Sequence, residues 1–166
     1  MTTFYDILDK LKTYLQGNSN INSVTFGDIF EVDLSKQTIF PLAHIVVNSC
    51  TFQEHVVRFN MQVICMDVVS ETNEDLKEQN NYFHDINNKQ DILNTMFFVV
   101  NGLQSALRRG ELYSDLFQID TDFEAQMFED RFENLLTGWS LTLDVIVPNN
   151  QISDINSNGQ SACYEF

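Results

Sequence analysis

The stretch from Pro41 to Val69 restricts the possible folds of this chain more than any other segment. Apolar residues fill Leu42 to Val47, and a second apolar run begins near Val56 after a short polar break. Within the second run, apolar side chains occupy every other position: Val57, Phe59, Met61, Val63 and Cys65. Successive side chains of a β-strand point to opposite faces of a sheet, so this period of two predicts a long hairpin with one buried face.

The other face of the second strand changes character along its length. Arg58, Asn60 and Gln62 are polar, whereas Ile64 and Met66 are apolar. We therefore expect this strand to run from a solvated region into a zone that is covered on both faces.

Two amphipathic helices accompany the hairpin. Residues 3–16 carry apolar side chains three and four positions apart, and Gly17 follows the last turn. A longer helix is predicted from Lys89 to Arg109, where Gly110 is placed to adopt a left-handed conformation after the end. Its wide apolar stripe comprises Ile92, Leu93, Met96, Phe97, Val99, Val100, Leu103, Ala106 and Leu107.

Shorter strands are predicted on both sides of these elements. Ser23 to Phe26 is a short strand, and Ile29 to Val32 is a candidate continuation. Another strand is expected at Leu116 to Ile119 or at Phe123 to Met127. The final strand alternates from Trp139 to Val147. Its flanking residues suggest a turn or bulge at Gly138 and an end at Pro148.

The strands are clustered along the chain and do not alternate with helices. We therefore predict an α+β fold, in which an antiparallel β-sheet, formed by the long hairpin plus a C-terminal strand pair, has two main helices packed on one face. Residues 1–148 form a single domain with a polar loop at 71–89, and residues 149–166 form a flexible C-terminal tail.

Composition excludes several classes of protein. The 166 residues suit one folded domain, and the net charge of −15 disfavours a surface that grips nucleic acid or an anionic membrane. No apolar run approaches the length of a membrane-spanning helix, and the first residues lack the features of a secretory signal. The cysteines, Cys50, Cys65 and Cys163, have no metal-ligand spacing and are expected to be reduced thiols.

The residues around the hairpin turn are candidates for metal binding and for nucleophilic catalysis. His44 and His55 flank the turn and can face each other across the ladder, with Glu54 nearby. Zinc needs three or four convergent ligands, so ordinary polar positions are the preferred interpretation. Cys50 lies near both histidines in sequence, but nothing marks an oxyanion hole. Cys65 is expected to be a core residue.

Acidic pairs are frequent in this sequence: Asp120 and Asp122, Glu129 and Asp130, Glu74 and Asp75. They lie in polar stretches, whereas acid–base catalysis needs two carboxylates in contrasting environments inside a cleft. The six glycines are dispersed and form no phosphate-binding loop. We therefore expect no enzymatic activity, no catalytic residues, no cofactor and no metal.

Three strings carry a resemblance to a known family. They are RFNMQVICMDVV (Arg58 to Val69), QDILNTMFFVVNGL (Gln90 to Leu103) and RFENLLTGWSLTLDVIVPN (Arg131 to Asn149). Together with the order of the elements, they resemble the small tail-completion, tail-terminator and neck-ring (head–tail connector) proteins of tailed bacteriophages. The last string is the most specific, because a Gly-Trp pair opens an alternating strand that Pro-Asn ends. The resemblance covers roughly residues 3 to 148.

The resemblance implies a structural role in the virion. Such proteins form homo-oligomeric rings of six or twelve copies in the neck or tail, assembled in the host cytoplasm. The implied partners are portal or connector and tail-tube proteins, with DNA passing through the lumen without specific binding, and no membrane is involved. An acidic lumen would let DNA pass without sticking.

Exposed sheet edges and long loops are natural subunit contacts in a ring. The segment from Glu71 to Gln90 is long and polar for a loop inside a compact domain. The candidate partner-contact residues lie in this loop and in the tail: Glu71, Glu74, Asp75, Tyr82, Phe83, Tyr164 and Phe166.

Two other classes of function remain open at this point. An acidic DNA-mimic inhibitor of a nuclease or restriction enzyme predicts two phosphate-like rows of carboxylates and tight binding to a basic partner. A small enzyme predicts a deep pocket that contains titratable groups with perturbed pKa values.

Overall fold

The computed structural model describes residues 4–69, 88–110, 112, 118–119, 122–131 and 135–149. Within these ranges two α-helices pack on a six-stranded sheet, which confirms the predicted α+β class. In chain order the elements are α1 (Phe4–Gln16), β1 (Ser23–Phe26), β2 (Leu42–Phe52), β3 (Val56–Val68), α2 (Lys89–Arg109), β4 (Gln118–Ile119), β5 (Glu124–Arg131) and β6 (Leu136–Pro148). The polar loop up to residue 87 and the tail from residue 150 lie outside the described ranges.

The strand order is β1-β2-β3-β6, and β4 and β5 pair with different parts of the far side of β6. The last strand along the chain is therefore central, and it pairs with β3 from Val56 opposite Pro148 to Val68 opposite Leu136. The described strand pairs are antiparallel except β1 and β2, which run parallel. The sheet is therefore mixed and mostly antiparallel, whereas an antiparallel sheet was predicted. The chain makes this parallel pair by crossing between β1 and β2 outside the sheet plane, through two short 3-10 helices at Ile29–Glu31 and Gln37–Ile39.

Both helices cover one face of the sheet, which we call the helical face. Ile7, Leu11 and Leu15 of α1 are completely buried there, because their spacing of four places them on one stripe of the helix. They belong to one core with the apolar stripe of α2 and the alternating residues of β3 and β6. The predicted bounds of α2 are confirmed at both ends.

The opposite face, which we call the second face, is covered over only half of its length. The crossover between β1 and β2 places Ile39 and Phe40 against Leu42, Met66 and Leu136 at one end of the sheet. The expectation that β3 runs from a polar region into a zone covered on both faces is therefore confirmed.

The uncovered half of the second face carries hydrogen-bonded polar side chains. The Nδ2 group of Asn48 donates to Oδ1 of Asn60 at 2.9 Å, and the Nδ2 group of Asn60 donates to Oδ1 of Asp144 at 2.6 Å. Nearby, the side-chain amide of Gln62 donates to the hydroxyl of Ser140. These bonds cross β2, β3 and β6, so they tie the three central strands together on the polar side.

Three local predictions are wrong. Ile29 to Val32 is not a continued strand, because Asp28 caps a 3-10 turn by accepting a hydrogen bond from the backbone N–H of Phe30 at 3.0 Å. Gly110 has a φ of −102° and is not left-handed. Gly138 lies inside β6 and not in a turn before it, although the register of β5 is irregular opposite this part of β6, between Phe128 and Arg131.

Gly138 is required by a close approach between strands. A Cβ atom at this position would lie 1.9 Å from the backbone carbonyl oxygen of Cys65 and 2.9 Å from Cα of Met66. Glycine is therefore required at position 138 because the backbone of β3 occupies the space that any side chain would need.

Candidate functional site

The two histidines at the hairpin do not form a metal site. His44 lies opposite Ile64 in the ladder, whereas His55 lies in the exposed turn, so the expectation that they can face each other is wrong. The ring of His55 is 3.9 Å from the carboxylate of Glu54, and both side chains are exposed. Within the described residues, no group of three or more metal-ligating side chains comes together.

His44 is a buried structural residue that joins β2 to the end of β1. Its Nε2 atom lies 3.0 Å from the carbonyl oxygen of Gly27, which can only accept, so Nε2 carries the proton. Its Nδ1 atom then accepts a hydrogen bond from the hydroxyl of Thr25 at 2.7 Å. Burial lowers the pKa of His44, although the carbonyl of Gly27 and the charge of Asp28 act in the opposite direction. The imidazole is therefore neutral when it makes both bonds.

The described cysteines are not activated nucleophiles. Burial raises the pKa of Cys65 to about 12 because the thiol is enclosed in the core, as expected from its position on the apolar face. Cys50 is exposed on β2 opposite Phe59, and partial desolvation raises its pKa as well. A reactive thiol needs a lowered pKa, so neither side chain fits a catalytic role.

Two of the described carboxylates from the acidic pairs make separate surface ion pairs. Asp122 lies 3.2 Å from the guanidinium of Arg108, and Glu129 lies 3.9 Å from the ammonium of Lys89. Burial raises the pKa of Asp67, whose Oδ1 accepts a hydrogen bond from the backbone N–H of Val68. The hydrogen bonds of His44 and Asp67 lead to different neighbours, so these two perturbed groups do not form an acid–base pair.

A groove of about 800 Å³ runs beside α1. Its described lining comes from α1, from the turn that follows α1 and from Leu112. The residues are Asp6, Asp9, Lys10, Thr13, Tyr14, Gly17, Asn18 and Leu112. The described part of its lining contains no histidine or cysteine, and the described groups whose pKa is shifted lie elsewhere: Asp33, His44, Cys50, Cys65 and Asp67. The described part of the lining therefore brings together no thiol–imidazole pair.

Large apolar side chains are exposed at both lateral edges of the sheet. At the β1 edge, the exposed fraction is 74% for Tyr5 and 52% for Phe26. The ring of Phe4 contacts both of them, with centroid distances of 5.9 Å to Tyr5 and 6.1 Å to Phe26. Phe30 projects from the 3-10 turn that follows β1 and is 85% exposed. This surface, together with Asp28 and Glu31, is called the acidic edge.

The opposite edge has a second exposed apolar group. Phe97 and Phe98 of α2 are 44% and 61% exposed, and Met127 of β5 is 51% exposed. Phe97 packs edge-to-face on the ring of Trp139 at 5.5 Å, and Met127 lies beside Trp139 in the register of β5 and β6. Arg108 and Arg109 occupy the last turn of the same helix. Phe97, Phe98, Met127, Arg108 and Arg109 are called the basic edge.

The indole of Trp139 links this edge to the core. Its Nε1–H donates to the backbone carbonyl of Leu93 at 2.9 Å, so the ring is fixed beneath α2. Contiguous apolar surface of this kind, rimmed by charges, is typical of protein–protein contact sites.

None of the seven residues predicted as partner contacts falls in the described part of the chain: Glu71, Glu74, Asp75, Tyr82, Phe83, Tyr164 and Phe166. The exposed aromatic residues at the two edges were not predicted from the sequence, because Phe97 was assigned to the buried stripe of α2. One signal was present: Phe97 and Phe98 are consecutive, and a helix covered on one side cannot bury two adjacent large rings equally.

Comparison with models of known protein families and with curated proteins finds no match. Among the helices of the described region, none has both the length and the apolar character needed to cross a membrane.

Proposed function

We propose that this chain is a structural virion protein of a tailed bacteriophage, which forms a ring at the head–tail junction. In this role it acts as a tail terminator, tail-completion protein or neck ring that joins the connector to the tail tube and lets DNA pass. It acts by assembly and not as an enzyme.

The observation that carries the proposal is where the three resembling strings lie in the fold. They fall on β3, on α2 and on β6 with its approach from β5, which are neighbouring elements. β3 and β6 pair along the full length of both strands, and Trp139 of β6 bonds the backbone of α2. The resemblance therefore concerns the packed centre of the domain and not three unrelated surface strings.

The two sheet edges support an assembling role. Each edge combines exposed aromatic side chains with charged groups, whereas most large apolar residues of the described region are buried in the core. Single exposed apolar residues are ordinary, but clusters on two opposite sides of one domain suit a protein that has a neighbour on each side.

The net charge of −15 fits a ring through which DNA passes. Carboxylates that face the lumen would repel phosphate groups and leave no counterion-release gain for binding. Replacement of lumen-facing carboxylates by lysine is expected to slow DNA passage, and unchanged ejection kinetics would argue against a charged lumen.

The proposal is tested with purified protein and with the tail-tube and connector proteins of the same phage. Native mass spectrometry and negative-stain imaging should show closed rings of six or twelve copies, or rings that close only on the end of a tail tube. Added protein should stop tube growth at a defined length and appear in the neck or tail of the virion.

A different outcome would favour the DNA-mimic alternative, which the same net charge supports. In that case the protein would remain a monomer, ignore tail tubes and inhibit a nuclease or restriction enzyme stoichiometrically, with an affinity that falls steeply with salt.

A further inference from the structure

We infer that the acidic edge of one copy binds the basic edge of the next copy, so that the ring is built from one repeated head-to-tail contact. This inference rests on the proposed ring assembly and assigns the surfaces that would build it.

Strand direction allows the two edges to meet without turning a subunit over. β1 runs parallel to β2, and the pairs β2–β3, β3–β6 and β6–β5 are antiparallel. The two outer strands, β1 and β5, therefore run in opposite directions. Copies placed side by side with the same face outward, as rotation about a ring axis requires, bring β1 next to an antiparallel β5.

Apart from Phe30, which lies in the crossover that covers the second face, the exposed apolar residues of both edges lie on the same side of the sheet. Phe26 follows the register of Val24, Ala43 and Ile45 on the helical face, and Tyr5 belongs to α1, which covers that face. Met127 lies beside Trp139 on the helical face, and Phe97 and Phe98 belong to α2. Side-by-side copies would thus bring the two apolar groups together and remove both from water.

The two edges also carry charges of opposite sign. From Ile92 to Arg109, α2 carries two arginines and no carboxylate, in a chain whose net charge is −15. Asp122 contacts Arg108, while Arg109 is exposed in the same turn. At the other edge, Asp28 and Glu31 flank the exposed ring of Phe30, and Lys36 is engaged with Asp33. Opposite charges across a contact favour one pairing of edges over a symmetric pairing of like edges.

Among the described residues, both edges of the sheet also include a strand that is paired on one side only. β1 pairs with β2 only from Leu42 to Ile45, so the outer side of β2 from Val46 to Phe52 pairs with no described strand. Among the described residues, β5 pairs only with β6. Edge strands of this kind are ready templates for pairing with another chain.

The test uses full-length protein with exposed positions substituted on one edge at a time. Tyr5→Ser with Glu31→Lys changes the acidic edge, and Phe98→Ser with Arg109→Glu changes the basic edge. The control is Glu54→Lys, which repeats the charge change of Glu31→Lys in the exposed turn of the hairpin, away from both edges. Circular dichroism and urea unfolding of all three variants serve to check that each of them folds.

Each edge variant is expected to lose rings and to sediment as a monomer, with self-association weakened by about 30-fold or more, as for loss of central contact residues. The hairpin control should assemble like the natural chain. An equimolar mixture of the two edge variants should form a heterodimer and stop there, because each pair retains only one matching set of intact edges.

The outcomes separate this inference from the proposed function. Rings that persist in both edge variants would overturn the edge assignment and leave a ring-forming virion protein intact. A mixture that remains monomeric, or a control that dissociates equally, would also overturn the head-to-tail contact. A natural chain that neither assembles nor binds tail tubes would remove the proposed function itself.

Discussion

His44 shows how one buried polar side chain makes the attachment of an edge strand depend on pH. The side chain is completely buried, and its two ring nitrogens bond the hydroxyl of Thr25 and the carbonyl of Gly27. Protonation would convert Nδ1 from an acceptor into a donor that faces a hydroxyl already oriented toward it. The nearest charge that favours protonation is Asp28, and burial outweighs it in lowering the pKa of His44.

We expect the free energy of unfolding to decrease as the pH is lowered below 6.5, because the unfolded chain then protonates His44 more readily than the folded chain does. In the unfolded chain His44 takes up a proton near the ordinary histidine pKa of 6.5, whereas in the folded chain it does so at lower pH, so the unfolded state binds more protons in that window. The contribution is fully present above pH 6.5 and is lost as pH falls toward the folded pKa, with a slope of at most about 1.4 kcal/mol per pH unit. Urea titrations between pH 7.5 and 5.5 measure it.

Two variants isolate this effect. His44→Gln removes the titrating ring and should flatten the profile between pH 6.5 and 5.5. His55→Gln removes a histidine from the exposed turn and should retain the slope of the natural chain. Parallel profiles for the natural chain and His44→Gln would show that another group carries the pH dependence.

Residue-level prediction from the sequence worked where one periodicity decided the environment. Cys65 was assigned to the core because it falls on the apolar face of the alternating strand, and it is completely buried. His44 could not be assigned in this way, because its partners come from β1 and from the turn after it, which are distant in sequence. Its burial depends on a crossover that the local pattern does not encode.

At the scale of elements, the helices were predicted most accurately. α2 begins at Lys89 and ends at Arg109 as expected, because the apolar stripe, the acidic first turn and the basic last turn agree. The segment from Ile29 to Val32 was mistaken for a strand because its apolar residues are too few to separate a strand from a 3-10 turn. The cap supplied by Asp28 decides the outcome.

The pairing of β3 with β6 leads to a sharp prediction at Gly138. Gly138→Ala would place a methyl group 1.9 Å from the carbonyl oxygen of Cys65, in the middle of two paired strands whose backbones cannot separate locally. We expect a loss of roughly 3 kcal/mol in the free energy of unfolding. Urea unfolding should show a lower midpoint with an unchanged m-value.

Gly17→Ala is the matched control for this substitution. A Cβ atom at Gly17 would meet the carbonyl oxygens of Thr13 and Tyr14 at an ordinary 3.5 Å, so the change should stay within about 0.5 kcal/mol. Equal stabilities for Gly138→Ala and Gly17→Ala would mean that the two central strands lie farther apart than described.

At the scale of the whole molecule, the sequence predicted the class of fold but not the order of its strands. A period of two identifies a half-buried strand, but it does not say which strand lies beside it. The predicted C-terminal pair is formed by β5 and β6, but the sequence did not indicate that β6 also pairs with β3 and lies at the centre of the sheet. Because the edges depend on this order, the exposed aromatic groups at β1 and β5 became visible only in three dimensions.

The position of Trp139 next to the basic edge makes assembly directly observable. It is the single tryptophan of the chain, and its ring packs between Phe97 and the bonded backbone of α2. If the acidic edge of a neighbour covers Phe97 and Met127, the indole loses contact with water. Its emission, excited at a wavelength that tyrosine does not absorb, should then shift to the blue as protein concentration rises through the assembly range.

The Phe98→Ser with Arg109→Glu variant should show no shift over the same range, because it does not assemble and the indole environment within one subunit is unchanged. An increase in mass without any shift in the natural chain would place the subunit contact away from this edge.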